Sequence, residues 1–165
     1  YITHVSRTPM DVHLMVEDVK NFVDSYAIFN PNTITFHYEA CKDENEVMEL
    51  IKYVKGKARK VGLAISPETQ VEKIKKFLPY VHEVLVMTVV PGEGGQKLIP
   101  ETINKIEELS KIRDDENLDF DIEVDGGINV ENSDDLKANG ADILVAGSAI
   151  LNSKNYKKTI KDLKI

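Results

Sequence analysis

Six near-continuous apolar runs, most of them followed by a segment of helical period, constrain this chain more than anything else in it. The runs are Met10–Val16, Thr33–Tyr38, Lys60–Ile65, Glu83–Val89, Phe120–Val124 and Ala141–Ala146. Runs of this length suit strands buried on both faces, as in parallel sheets. Between them, Val19 to Ile28 places Val19, Phe22, Val23 and Tyr26 on one side, and Glu44 to Val54 repeats Val47, Leu50, Ile51 and Val54. Thr69 to Leu78 repeats Val71, Ile74 and Leu78, and Pro100 to Ile112 repeats Ile103, Ile106, Leu109 and Ile112. That spacing is the period of an amphipathic helix. Asn132 to Asn139 and Asn155 to Leu163 complete the series. Pro100 suits a first helical turn, and Gly140 suits a helix end. Alternation without a linker or low-complexity stretch predicts one parallel α/β domain over residues 1–165. Six units taken alone suit a doubly wound open sheet. A closed (β/α)8 barrel needs eight units and typically about 250 residues.

Composition removes several function classes. With 165 residues, 42% of them hydrophobic, the chain has enough apolar material for a core. No stretch approaches the roughly 18 consecutive apolar residues of a membrane span. A net charge of −7 argues against broad nucleic-acid binding and leaves room for a small anionic ligand held by local positive potential. One cysteine, Cys41, cannot form an internal disulfide and fits a reducing, cytoplasmic setting.

In a parallel α/β protein, functional groups gather at the C-terminal ends of the strands. Gly92, Gly94 and Gly95 follow the fourth run, Gly126 and Gly127 the fifth, and Gly147-Ser148 the sixth. Three successive strands ending in glycine can aim backbone N–H groups at one point, the make-up of a phosphate cradle. A helix beginning at Ser148 would add its dipole. Asp125 stands between Val124 and the glycine pair, where a carboxylate can turn the chain, move a proton or ligate a metal. His13 lies inside an apolar run, and strand alternation puts it on the same face as Asp11. His37 ends the next run. His13 with Asp125 would suit zinc, manganese or iron, but two ligands do not complete a site. Met15, Met48 and Met87 read first as core filler. Cys41 has no local base, and His4 and His82 carry no motif.

Six stretches, in order along the whole chain, carry a resemblance. They are DVHLMV at 11–16, TFHYEA at 35–40, VGLAISPET at 61–69, LVMTVVPGEGGQ at 85–96, IEVDGGIN at 122–129 and GADILVAGSAI at 140–150. Together they resemble the ribulose-phosphate 3-epimerase family. The resemblance implies an α/β, (β/α)8 TIM barrel, with this chain covering about strands three to eight. It implies metal-dependent interconversion of D-ribulose 5-phosphate and D-xylulose 5-phosphate by proton transfer at C3 through an enediolate. It also implies a divalent metal (zinc, iron, manganese or cobalt) held by His13 and Asp125, with Asp125 one of two opposed acid/base groups. Met15 and Met87 would line the reacting carbon. His13, Gly92, Glu93, Gly94, Gly95, Gly126, Gly127, Gly147 and Ser148 would meet substrate or phosphate. The implied partner is a small sugar phosphate, with no nucleic acid, no membrane, and a homo-oligomer left open.

The departures are specific. The family draws a second metal histidine and the second aspartate from a segment of the form H-x-D-x-M-D-G, which this sequence lacks. The expectation is therefore a barrel incomplete at its N-terminal end, two strands short and with exposed sheet edges, inactive as a segment by itself. Two other readings stay open: the sibling D-allulose-6-phosphate 3-epimerase, and a non-catalytic phosphate-binding fragment.

Glu93 is the other departure, since the family usually carries phenylalanine there. A carboxylate about 4 Å from a phosphate costs on the order of 1 kcal/mol per unit charge in water-like surroundings. Glu93 is expected to point outward or to pair with Lys97. Glu93→Phe should then leave KM for the sugar phosphate unchanged or lower it; steady-state kinetics showing a large rise would place Glu93 in favourable contact with substrate.

Overall fold

A computed structural model describes residues 8–92 and 95–164. Six strands form one sheet: β1 (Asp11–Leu14), β2 (Thr33–His37), β3 (Lys60–Ile65), β4 (Glu83–Met87), β5 (Asp121–Asp125) and β6 (Ile143–Val145). Every pairing is parallel, and the strands lie side by side in sequence order. A doubly wound sheet reverses its order part-way. This one does not, so successive crossovers deliver their helices to the same face.

That face carries the main core. Val12, Ile34, Phe36, Val61, Leu63, Val84, Val86, Ile122 and Val124 pack there against helix residues. Helix α1 (Val19–Ala27) contributes Val19 and Val23, and α2 (Glu44–Lys55) contributes Val47, Leu50, Ile51 and Val54. Helix α3 (Ile103–Asp115) adds Ile106 and Leu109, α4 (Val130–Ala138) adds Leu136, and the C-terminal helix adds Leu163. Asp43 starts α2 by accepting the N–H groups of Asn45 and Glu46, a side-chain cap for groups the helix itself leaves unpaired. Asn129 and Asn132 cap α4 reciprocally.

The helix expected over Thr69–Leu78 is instead two 3₁₀ segments, Val71–Lys73 and Lys75–Tyr80. Pro79 lies inside the second, where an α-helix would set its ring against a carbonyl four residues back. Val71, Ile74 and Phe77 are all buried, and their spacing of three matches the tighter turn.

The opposite face of the sheet is concave. His13 on β1 and Asp125 on β5 approach to 3.5 Å, although a flat sheet would hold strands four steps apart roughly 19 Å from one another. The sheet therefore curls on itself, with β1 and β6 at its two ends. Ala64, Leu85, Met87 and Val89 form a small apolar cluster inside the curl. Thr35 Oγ1 donates to Glu83 Oε1 at 3.0 Å across β3, because Gly62 stands between them and any Cβ there would collide with Thr35. No helix among the described residues is long and apolar enough to cross a membrane.

The floor of the curl is acidic. Glu123 is 4% exposed, and its Oε2 has no hydrogen-bond partner. Burial raises its pKa far above the usual carboxylate range, and a hydrogen bond and charge repulsion from Glu83 add to this, as do the charges of Asp11 and Asp125. The folded protein thus keeps a proton that the unfolded chain releases above about pH 4.3, so stability falls as pH rises. Between about pH 7 and 9 this one group costs up to roughly 1.4 kcal/mol per pH unit. Glu123→Gln, neutral throughout, should flatten the pH dependence of urea unfolding over that window; equal slopes for the two proteins would show that Glu123 is ionised in the fold.

Candidate active site

Strand alternation directs Glu83, Leu85 and Met87, and likewise Asp121, Glu123 and Asp125, into the curl. Met87 and Asp125 are lateral neighbours in the register at the C-terminal ends of β4 and β5. Above them a cavity of about 330 Å³ opens. Met15, Met87 and Asp125 line it, together with the loop residues Gly92, Gly95, Gly126, Gly127, Gly147 and Ser148 that form its rim. Nine of the residues singled out in the sequence thus share one cavity. Val89, Gln96, Ile128 and Val145 complete the lining without having carried a sequence signal. No Lys or Arg is among the described lining residues, so an anion there meets backbone and hydroxyl donors. Glu93, its pairing with Lys97, and Gly94 lie outside the described residues. So does His4.

The rim is held by backbone geometry that only glycine supplies. Gly127 has φ +66°, and a Cβ there would meet the backbone of Leu98 and lie 2.9 Å from the carbonyl oxygen of Gln96. Thr88 Oγ1 donates to the carbonyls of Asp125, at 3.1 Å, and Gly126, at 2.5 Å, tying the end of β5 to the end of β4. The expected helix at Ser148 exists only as one turn, α5 (Ser148–Leu151), so it offers N–H groups and little dipole. The helix α6 (Tyr156–Leu163) follows.

His13 bridges the mouth of the curl. Its Nδ1 lies 3.5 Å from Asp125 Oδ2, and its Nε2 lies 2.9 Å from Nε2 of His37. His37 Nδ1 in turn lies 3.2 Å from Glu39 Oε2. His37 and Glu39 are the residues that sequence reasoning undervalued; the signal was the spacing H-x-E at a strand end. Met15 is 45% exposed at the cavity, whereas Met48 packs against the main core. Cys41 is half-buried and its thiol is pushed up to about 12, chiefly by burial and then by Glu46, which leaves it unreactive. His82 accepts the N–H of Val61 through Nδ1.

Among the described residues, two sets of side chains have the chemistry to hold a cation. Asp11, Glu83 and Glu123 offer carboxylate oxygens that all lie within 4.8 Å of one another at the acidic floor. At the mouth, His13 Nδ1 and Asp125 Oδ2 converge without a hydrogen bond between them, a nitrogen and an oxygen donor that one divalent ion can share.

Residues 1–151 match the model of the ribulose-phosphate 3-epimerase family. The chain belongs to that family. The ribulose-phosphate 3-epimerase of Escherichia coli strain K12 is 38% identical over 94% of this chain and 68% of its own length. That of Helicobacter pylori strain J99 is also 38% identical, over 98% of this chain and 73% of its own length. The crystal structure of KGPDC from Streptococcus mutans superposes with a TM-score of 0.71 over 98% of this chain and 73% of its own, at 12% identity. At that identity the likeness concerns the fold alone.

Among the epimerase rim glycines, Gly127 and Gly147 should behave oppositely. Gly127→Ala should destabilise by about 2–4 kcal/mol, from left-handed strain plus backbone collision. Gly147→Ala, with open space and φ −79°, should stay within about 0.5 kcal/mol of wild type. Urea midpoints of the two variants check this.

Proposed function

We propose that this protein interconverts D-ribulose 5-phosphate and D-xylulose 5-phosphate, using a single barrel-type domain over residues 1–165. The six strands are read as neighbouring staves of a (β/α)8 barrel. The observation that carries the reading is the approach of His13 to Asp125 beneath a glycine rim, in a chain of this family.

The phosphate is assigned to the rim. Gly92, Gly95, Gly126, Gly127, Gly147 and Ser148 line it, with Glu93 and Gly94 assigned to it by the family resemblance alone, and backbone N–H groups rather than cationic side chains supply the donors. That anchoring directs the sugar toward Met87 and Asp125. Asp125 takes the proton from C3 and can return it, the role of a fixed carboxylate beside a carbon acid. Met15 and Met87 flank the reacting carbon with polarizable thioethers that offer no competing proton. His13 and Asp125 would hold a divalent metal, zinc, iron, manganese or cobalt, whose Lewis acidity stabilises negative charge on the sugar oxygens during proton removal. Inversion at C3 also needs a proton delivered to the opposite face. The family's second aspartate performs it, and its motif has no counterpart within these 165 residues. A cytoplasmic setting fits the single, unreactive thiol.

The test uses the protein as its own gene encodes it, loaded with each metal in turn. Turnover of D-ribulose 5-phosphate should exceed that of D-allulose 6-phosphate, and Asp125→Asn should lower kcat by about 10²–10⁴-fold. Faster turnover of the six-carbon sugar would reassign the protein to the sibling epimerase. Unchanged kcat in the variant would remove Asp125 from the chemistry.

A further inference from the structure

A line of polar contacts runs from the cavity mouth to the outer surface of the sheet end, and the mechanism above uses only its first two members. It passes from Asp125 through His13 and His37 to Glu39. The two imidazoles are 19° from coplanar with centroids 5.0 Å apart, which is edge-to-edge contact through their Nε2 atoms. An in-plane N–H···N bond joins them, so one ring donates and the other accepts.

Glu39 fixes which ring does which. Its Oε2 faces His37 Nδ1, while its Oε1 accepts the N–H of Ser66 at 2.8 Å and the hydroxyl of Thr69. The loop carrying Ser66 and Thr69 is itself pinned. Lys105 Nζ donates to the carbonyls of Ser66 at 3.0 Å, Pro67 at 2.7 Å and Thr69 at 2.5 Å. Burial opposes the charge on Glu39, but the bonds from His37, Thr69 and Ser66 outweigh it and hold its pKa down at about 2. Glu39 is therefore a carboxylate, and a carboxylate only accepts. The proton on His37 must sit on Nδ1. A neutral imidazole has one N–H, so His37 Nε2 is bare and accepts from His13 Nε2. That leaves His13 Nδ1 bare, 3.5 Å from Asp125 Oδ2 and with no hydrogen bond to it.

We propose that Glu39 is a positioning residue that sets the tautomers of the His37–His13 pair, so that His13 presents a bare Nδ1 beside Asp125 at the cavity mouth. This deepens the epimerase reading and rests on its choice of His13 and Asp125 as the working pair. Its consequence is that two electron-pair donors converge ready for a cation, with no proton to be expelled first. The ordering resembles the outer partners that orient metal-bound histidines elsewhere, acting here through a second imidazole.

The experiment reads protons directly on the metal-free protein. Long-range ¹H–¹⁵N spectra of histidine-labelled protein, recorded at about pH 8.5 and above the ordinary histidine range, report which ring nitrogen is protonated. The expected wild-type pattern is Nε2–H for His13 and Nδ1–H for His37. Glu39→Gln is nearly isosteric but has a single acceptor oxygen, which Ser66 and Thr69 retain. Its amide N–H₂ then faces His37 Nδ1 and should flip both rings, moving the His13 proton to Nδ1. Thr69→Val, which keeps the carboxylate, should leave both tautomers as in wild type. An N–H on His13 Nδ1 in the wild type, a doubly protonated ring, or unchanged tautomers in Glu39→Gln would each overturn the assignment. The wild-type spectrum decides even if a variant does not fold. Because the readout needs neither metal nor substrate, absence of epimerase turnover would count against the proposed function and leave the tautomer assignment standing.

Discussion

Each strand of a parallel sheet needs a neighbour on both sides and cover on both faces. In this chain the strands pair in strict sequence order, so every crossover helix falls on the same side. One face is thereby sealed by amphipathic helices, and the other can be covered only by curling the sheet toward itself. The curl makes everything else here available. It brings β1 within contact of β5 and separates the interior into an acidic floor, an apolar middle and a polar mouth.

The three levels have different chemistry because they have different access to water. At the floor, Glu123 is buried beside Glu83, and two such carboxylates cannot both ionise at acceptable cost. In the middle, Ala64, Leu85, Met87 and Val89 exclude water and give the site a dry base. At the mouth, side chains come from strand ends, where rigid backbone fixes them and the loops remain open. Glu39 shows how far that fixing extends: its two oxygens, the loop from Ser66 to Thr69 and Lys105 hold the partner of His37, which meets His13 beside Asp125.

Much of this is legible in the residues. Apolar runs of five to seven residues mark the strands, and their ends mark the rim. Glycines after three successive strands identify the cavity lining, and Gly126 and Gly127 do adopt positive φ. The segment from Thr69 to Leu78 reads as an α-helix because Val71, Ile74 and Leu78 fit a period of 3.6, whereas the structure buries Val71, Ile74 and Phe77 at the spacing of three that 3₁₀ turns give. The helix expected at Ser148 is a single turn, too short for the dipole argument made from it. His37 reads as a second imidazole at a strand end near His13, because sequence spacing shows that two histidines lie on strand faces without showing that their rings meet. The doubly wound alternative fails on strand order, which no local pattern encodes.

By itself the sequence determined the parallel α/β architecture, the strand ends that carry chemistry, and the resemblance that family comparison upheld. Those properties are local or cumulative: periodicity, glycine conformation and the identity of short segments. Only the tertiary structure decided that His13 and Asp125 meet, that Glu123 is buried among other carboxylates, and that Glu39 and two imidazoles join in one line of contacts. Each depends on distances across the curled sheet, and electrostatic and hydrogen-bond energies change steeply over the few ångströms that curvature controls.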